Sequence, residues 1–139
     1  MKRILFDTNV ILDLVLNRPD FVEHAKQLFD AIDEKLLLGF MSATTVKDVY
    51  YITAKERDRI FAALALRRVV RVLEIIAVDK SIVLSALDSP VKDFEDTIQA
   101  ETAKSMGLDF IVTRNKEDFY YSPVPAKLPG DFLKELKHK

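Results

Sequence analysis

The apolar residues of this chain follow two periods. Short, mainly apolar runs at residues 4–6, 36–40, 73–78 and 109–112 lack helical spacing and are bounded by polar residues, which predicts strands. Between them apolar positions recur every three or four residues, and this spacing predicts helices over 10–16, 21–33, 44–54, 58–72, 81–87 and 97–106. Several of these begin beside Ser, Asp or Thr, whose side chains accept from the free N–H groups of a first turn, and Gly107 stands where a helix would end. Strands that alternate with helices pair in parallel through right-handed crossovers. The expected fold class is therefore α/β: a three-layer α/β/α sandwich with a central parallel sheet of four or five strands. The fifth would be a short strand around Val124, in a stretch broken by Pro123, Pro125 and Pro129-Gly130. The expected organisation is one domain over 1–130 followed by a short amphipathic helix or tail, 131–139, with a basic end.

Composition narrows the class. A chain of 139 residues has room for one ordinary core, and 49% hydrophobic with 31% charged residues, only 3 Gly and 5 Pro, describes a helix-rich globular protein. A net charge of -1 gives no global attraction for nucleic acid, so binding there would need a local basic patch or a metal ion. The absence of Cys excludes disulfides, thiolate catalysis and Cys-based zinc sites. Lys2-Arg3-Ile4-Leu5-Phe6 begins like a secretion signal, but Asp7 ends the apolar run, and no run approaches the roughly 20 residues that span a bilayer. The expectation is a cytoplasmic protein with no membrane segment.

Candidate chemistry lies in the acids. Asp7 follows the first apolar run, Asp96 opens a helical stretch, and Asp118 follows the last run in Thr113-Arg114-Asn115-Lys116-Glu117-Asp118. In a parallel sheet these lie at one edge, where open α/β sheets bind ligands, and Asp48 can join them one turn beyond Thr44 and Thr45. Each acid alone has a plain structural reading: Asp7 and Asp96 as helix caps, Asp48 as a solvated helix residue, Asp118 in a turn, Asp93 and Glu95 as capping or solvated acids. Together they would repel. Two carboxylates about 5 Å apart cost roughly 3 kcal/mol at an effective dielectric of 20, so such a cluster needs protonation or a cation. His24 and His138 fall in a helix and in the tail and read as structural or solvated, so the ligands are oxygens and suit Mg²⁺ or Mn²⁺. Such an ion activates water and neutralises phosphate charge, which suggests a nuclease or a phosphatase. A haloacid-dehalogenase phosphatase wants a second Asp where Asn9 stands, and a receiver domain wants paired acids after the first strand.

At these residues the chain resembles the PIN domain, the metal-dependent ribonuclease fold of VapC-like toxins. The resemblance runs through Phe6-Asp7-Thr8-Asn9-Val10-Ile11-Leu12-Asp13, Ser42-Ala43-Thr44-Thr45-Val46-Lys47-Asp48, Asp93-Phe94-Glu95-Asp96-Thr97-Ile98-Gln99-Ala100 and Ile111-Val112-Thr113-Arg114-Asn115-Lys116-Glu117-Asp118-Phe119. It implies a catalytic set of Asp7, Asp48, Asp96, Asn115 and Asp118, with Asp7, Asp96, Asn115 and Asp118 on Mg²⁺ or Mn²⁺. Asp48 stands where the family usually has Glu, and Asn115 where Asp is common. Thr8, Asn9, Thr113 and Arg114 would support the metal ligands or contact phosphate. The implied function is a metal-dependent endoribonuclease, the toxin of a toxin–antitoxin pair. Its alternative is a weakened PIN module that binds RNA or a protein without cutting. Implied partners are RNA, a small antitoxin and a second copy of the chain, for which Phe21, Leu28 and Phe29 offer apolar surface. Lys55, Arg57, Arg59, Arg67, Arg68 and Arg71 would contact an RNA backbone or form a solvated helix face.

Overall fold

The computed structural model describes residues 1–89 and 93–137. In chain order the elements are β1 (Lys2–Phe6), α1 (Thr8–Val15), α2 (Val22–Asp33), β2 (Leu37–Ser42), α3 (Ala43–Glu56), α4 (Arg59–Val72), β3 (Glu74–Ile76), α5 (Lys80–Leu87), α6 (Phe94–Ser105), β4 (Phe110–Val112), a 3₁₀ turn (Lys116–Phe119), β5 (Ala126–Lys127) and α7 (Pro129–Lys137). The five strands form one sheet in the order β3-β2-β1-β4-β5, and every pairing is parallel. Helices cover both faces, giving the expected α/β/α sandwich.

The main core lies on one face, where Ile4, Phe6, Leu37 and Met41 of the sheet meet Val10 and Ile11 of α1, Leu28 and Phe29 of α2, Val49 of α3, Val69 of α4 and Phe132 of α7. On the other face Leu5, Phe40 and Ile111 pack against Ala100 and Ala103 of α6 and Phe119 of the 3₁₀ turn. β1 is buried on both faces because Ile4, Leu5 and Phe6 are all apolar, the pattern of an inner parallel strand. Gly39 permits the close packing of β2: a Cβ there would lie 2.5 Å from Leu73 Cδ2 and 2.7 Å from Ile32 Cδ1.

Short polar side chains start most helices. Asp7, Ser42, Asp58, Asp79 and Asp93 each accept a backbone N–H in the first turn of α1, α3, α4, α5 and α6. Among the helices predicted from spacing, two starts move by more than one residue. α1 begins at Thr8 rather than residue 10, directly on Asp7, and α6 begins at Phe94 rather than residue 97. Asp93 is the α6 cap, so Asp96 is left in the first turn with its carboxylate uncommitted to capping. β2 runs two residues past its expected end, to Ser42; β3 shrinks to three residues, and the last strand forms at Ala126–Lys127 rather than at Val124. α7 starts at Pro129, and its Phe132 and Leu133 are in the main core. Leu28 and Phe29 are core residues, so of the three apolar positions expected to offer an interface only Phe21 is exposed. His24 packs its ring against Gly130, and His138 lies outside the described residues.

Candidate active site

The order β3-β2-β1-β4-β5 reverses direction at β1 and β4, whose chain continuations leave toward opposite faces and open a crevice at the carboxyl ends. Asp7 stands at that point, its backbone N–H donating to Val112 O at 3.0 Å across the pair. A cavity of about 420 Å³ opens above it, lined by Asp7, Thr8 and Asn9 of the β1–α1 junction, Thr44, Thr45, Lys47 and Asp48 of α3, Phe94, Glu95, Asp96 and Gln99 of α6, and Asn115. Leu12, Ile52 and Ile98 complete an apolar wall.

Asp7 is 7% exposed and is held from three sides. Its Oδ1 accepts from Thr8 N at 2.9 Å and from Gln99 Nε2 at 3.1 Å; its Oδ2 accepts from the Thr113 hydroxyl at 2.7 Å. These donors engage both carboxylate oxygens and fix the rotamer. Asp96 is different. Its carboxyl is raised from 3.8 to about 7, first by burial, then by the negative charges of Asp7, Asp93, Asp118 and Glu95. Among the described residues no Lys or Arg forms an ion pair with any of these five acids.

The expected residues divide into those the fold brings together and those it sends elsewhere. Asp7, Asp96, Asn115 and Asp48 all line the cavity, with Asp48 already paired to Lys47 at 3.5 Å. Asp118 is exposed on the 3₁₀ turn and does not line the cavity, although its charge reaches Asp96. Thr8 lines the cavity, while Asn9 and Thr113 lace its base: Asn9 Nδ2 donates to Thr113 Oγ1 at 3.4 Å, and Asn9 Oδ1 accepts from Arg114 N at 3.3 Å. Arg114 does not face the cavity. Its guanidinium grips Asp13 through Nε at 2.7 Å and Nη2 at 3.1 Å and lies 3.9 Å over the Phe21 ring, so the side chain expected at substrate is committed to a buried ion pair. The six basic residues around α4 are exposed, and none lines the cavity; Arg57 stacks on Phe61 at 4.0 Å.

Sequence reasoning missed Gln99, Lys47 and Phe94 as cavity residues. Gln99 carried a signal: three residues after Asp96, it shares that helical face and must point where Asp96 points. Lys47 and Phe94 carry no such signal, because a lysine or a phenylalanine beside an acid on a helix is equally at home on a solvated face.

The donor set is oxygen only. Among the described residues no three of His, Asp and Glu converge into a ready cage for a cation. The arrangement thus fits an ion that is held by one or two carboxylates and keeps much of its own water, as Mg²⁺ and Mn²⁺ do, and does not fit a fully protein-ligated one. The unneutralised charge around Asp96 is the observation that calls for such an ion. Asp7 and Asp96 could hold such an ion, and Asn115 could offer it a neutral oxygen from the cavity lining.

Residues 3–117 match the PIN domain family profile. The chain is 31% identical over 127 residues to Ribonuclease VapC1 of Aquifex aeolicus (strain VF5), a span covering 88% of this chain and 86% of that protein. Its fold is similar to that of the toxin-antitoxin complex from Klebsiella pneumoniae, at 26% identity and TM-score 0.67, covering 91% of this chain and 97% of that one. VapBC2 from Rickettsia felis, solved bound to a DNA fragment from its promoter, matches at 16% identity and TM-score 0.71, covering 91% and 98%; at that identity the likeness speaks to fold alone.

Proposed function

The chain belongs to the PIN-domain family, and from that premise we propose that it is a Mg²⁺- or Mn²⁺-dependent endoribonuclease acting as the toxin of a toxin–antitoxin pair. The observation that carries this reading is the pairing of a fully hydrogen-bonded Asp7 with an uncompensated Asp96 in a cavity at the switch point of the sheet. Its similarity to Ribonuclease VapC1 of Aquifex aeolicus supports RNA as the substrate. When bound, the ion supplies a water of lowered pKa and charge neutralisation for an in-line displacement at phosphorus.

The chain's own residues supply the rest. Asp7 is locked as an acceptor by Thr8 N, Gln99 and Thr113, so it would hold an ion without reorganising. Asp96, ionised once a cation is present, completes the negative end of the cavity. Lys47, exposed beside Asp48, is the cation of the cavity wall and attracts a phosphate that the acids alone would repel. Phe94, exposed and lining the same cavity from α6, offers a ring face on which an unpaired base stacks, which favours single-stranded or looped RNA. An antitoxin of the kind seen in the Klebsiella pneumoniae complex would silence the protein by filling this cavity.

The test is cleavage of single-stranded RNA by the purified protein. Mn²⁺ should support it, a chelator should stop it, and Asp7→Asn or Asp96→Asn should lower the rate at least a hundredfold while the circular dichroism spectrum stays that of the parent. Equal cleavage by both variants would mean that the site is not catalytic. A second reading, a PIN module that binds without cutting, draws on the pairing of Asp48 with Lys47 at 3.5 Å, which spends one of the expected acids. It predicts RNA binding with no Mn²⁺-dependent products.

A further inference from the structure

Gln99 is 4% exposed, carries no charge and caps no helix, yet it reaches from α6 to join the acid after β1 to the first turn of α3. Its Nε2 donates to Asp7 Oδ1 at 3.1 Å and to Thr45 Oγ1 at 3.0 Å. This orientation of the amide is imposed by Asp7, because the reverse would set one acceptor oxygen against another. As a result Gln99 Oε1 is buried with no hydrogen-bond partner among the described residues. A residue present only to fill the space would be better as Met, which leaves no acceptor unpaired.

The hydroxyls beside it form an ordered chain. Ser42 Oγ donates to Thr45 Oγ1 at 3.2 Å, so the hydroxyl of Thr44, 2.8 Å away, must donate to Ser42. Thr45 Oγ1 then accepts from both Ser42 and Gln99, which fills its two lone pairs. Its own hydrogen must therefore go to Thr8 Oγ1 at 2.9 Å. Thr8, on the cavity wall, is left with its hydroxyl hydrogen free to donate. Without Gln99 one lone pair on Thr45 reopens, Thr8 can donate backward, and the polarity of the chain is no longer set.

We infer that Gln99 is a positioning residue of this site: one amide hydrogen fixes the Asp7 carboxylate, and the other orders the hydroxyls so that Thr8 presents its hydrogen to a phosphate oxygen of RNA entering the cavity. The inference rests on the nuclease reading above. It has a readout that needs neither metal nor turnover, because Gln27 and Gln99 are the only glutamines in the chain. In metal-free protein the Gln99 side-chain amide protons should exchange with solvent at least roughly tenfold more slowly than those of Gln27, as twice-bonded buried donors do; exchange as fast as Gln27 overturns the geometry.

The role is tested with Gln99→Met, Thr45→Val and Thr8→Val, each titrated with Mn²⁺ by calorimetry and assayed for RNA cleavage. Gln99→Met should weaken Mn²⁺ binding about tenfold or more and lower kcat. Thr45→Val and Thr8→Val, which leave the Gln99 to Asp7 bond intact, should keep Mn²⁺ affinity within about twofold; Thr8→Val, which removes the donor to phosphate, should raise KM for RNA several-fold, and Thr45→Val, which leaves the Thr8 hydrogen with no acceptor to turn back to, should raise it less. A merely structural Gln99 would lower the melting temperature without this split between metal affinity and KM. Parent-like Mn²⁺ affinity and turnover in Gln99→Met, with an active parent protein, overturn the inference alone. A parent protein inert toward both Mn²⁺ and RNA overturns the nuclease reading and this inference with it.

Discussion

Asp7 satisfies a structural reading and a chemical one at once: it accepts Thr8 N as a helix cap with the same oxygen that Gln99 holds, and its other oxygen is held by Thr113. Asp96 lacks the capping role that its plain structural reading gave it, because Asp93 takes that role. Such acids are legible in sequence, since an apolar run that stops at Asp is a local pattern. Gln99, Lys47 and Phe94 are not, because what makes them cavity residues is the meeting of α3, α6 and β1 across long stretches of chain. Phe94 yields a prediction at this scale. It is 49% exposed and lines the cavity with an uncharged ring, so Phe94→Ala should raise KM for single-stranded RNA about tenfold and leave Mn²⁺ affinity unchanged. Steady-state kinetics beside a Mn²⁺ titration would check it, and an unchanged KM would remove the ring from the RNA path.

At the scale of elements, boundaries moved where a cap or an end lay outside the apolar pattern. Gly107 was readable as a helix end, and the structure gives it φ +61° with Gly107 N and Leu108 N bonded back to Lys104 O and Ala103 O. α2 ends in the same way without a glycine: Lys35 has φ +61°, and Lys35 N and Leu36 N return to Ile32 O and Ala31 O. The apolar spacing nonetheless places the end of this helix at Asp33, where α2 ends, and the second strand starts at Leu37, one residue later than expected. Lys35→Gly should stabilise the fold by about 0.5–1 kcal/mol in denaturant unfolding, by relieving the left-handed backbone; a loss of stability would show that the lysine side chain contributes more than the strain costs. The Arg114 clamp is the opposite case. Asp13 is 2% exposed and is neutralised by Arg114 and, more weakly, by Arg18 at 3.4 Å. Arg114→Met should cost about 3 kcal/mol, the lower end for breaking a buried pair because Arg18 remains, whereas Arg18→Met should cost about 1 kcal/mol or less. Equal losses in thermal unfolding would contradict this ranking.

For the whole molecule, alternation of strands and helices announced the layered parallel sheet, and the carboxyl-end rule announced which edge carries the chemistry. The order β3-β2-β1-β4-β5 was not legible, because one pattern of apolar runs is compatible with several orders; that order puts Asp7 at the switch point and Asp118 at the rim. The net charge of -1 likewise hid a local concentration of acids around Asp96. With its carboxyl raised from 3.8 to about 7, the metal-free folded state holds this proton more tightly than the unfolded chain does. Its contribution to stability is thus full below about pH 4 and is lost as pH rises toward and through 7, so other groups being equal the metal-free protein should melt at a lower temperature at pH 8 than at pH 5.5. Mn²⁺ should reduce that difference by binding the ionised form.

On the proposed function, the uncompensated charge at Asp96 is kept for a cation. Thermal melting of the parent protein and Asp96→Asn at pH 8, with and without Mn²⁺, tests it most directly. Without metal the variant should melt higher than the parent, because removing the charge relieves burial and repulsion together, and Mn²⁺ should raise the melting temperature of the parent but not that of the variant. A parent protein indifferent to Mn²⁺, or an Asp96→Asn variant that melts lower without metal and gains as much from it as the parent, would contradict the claim.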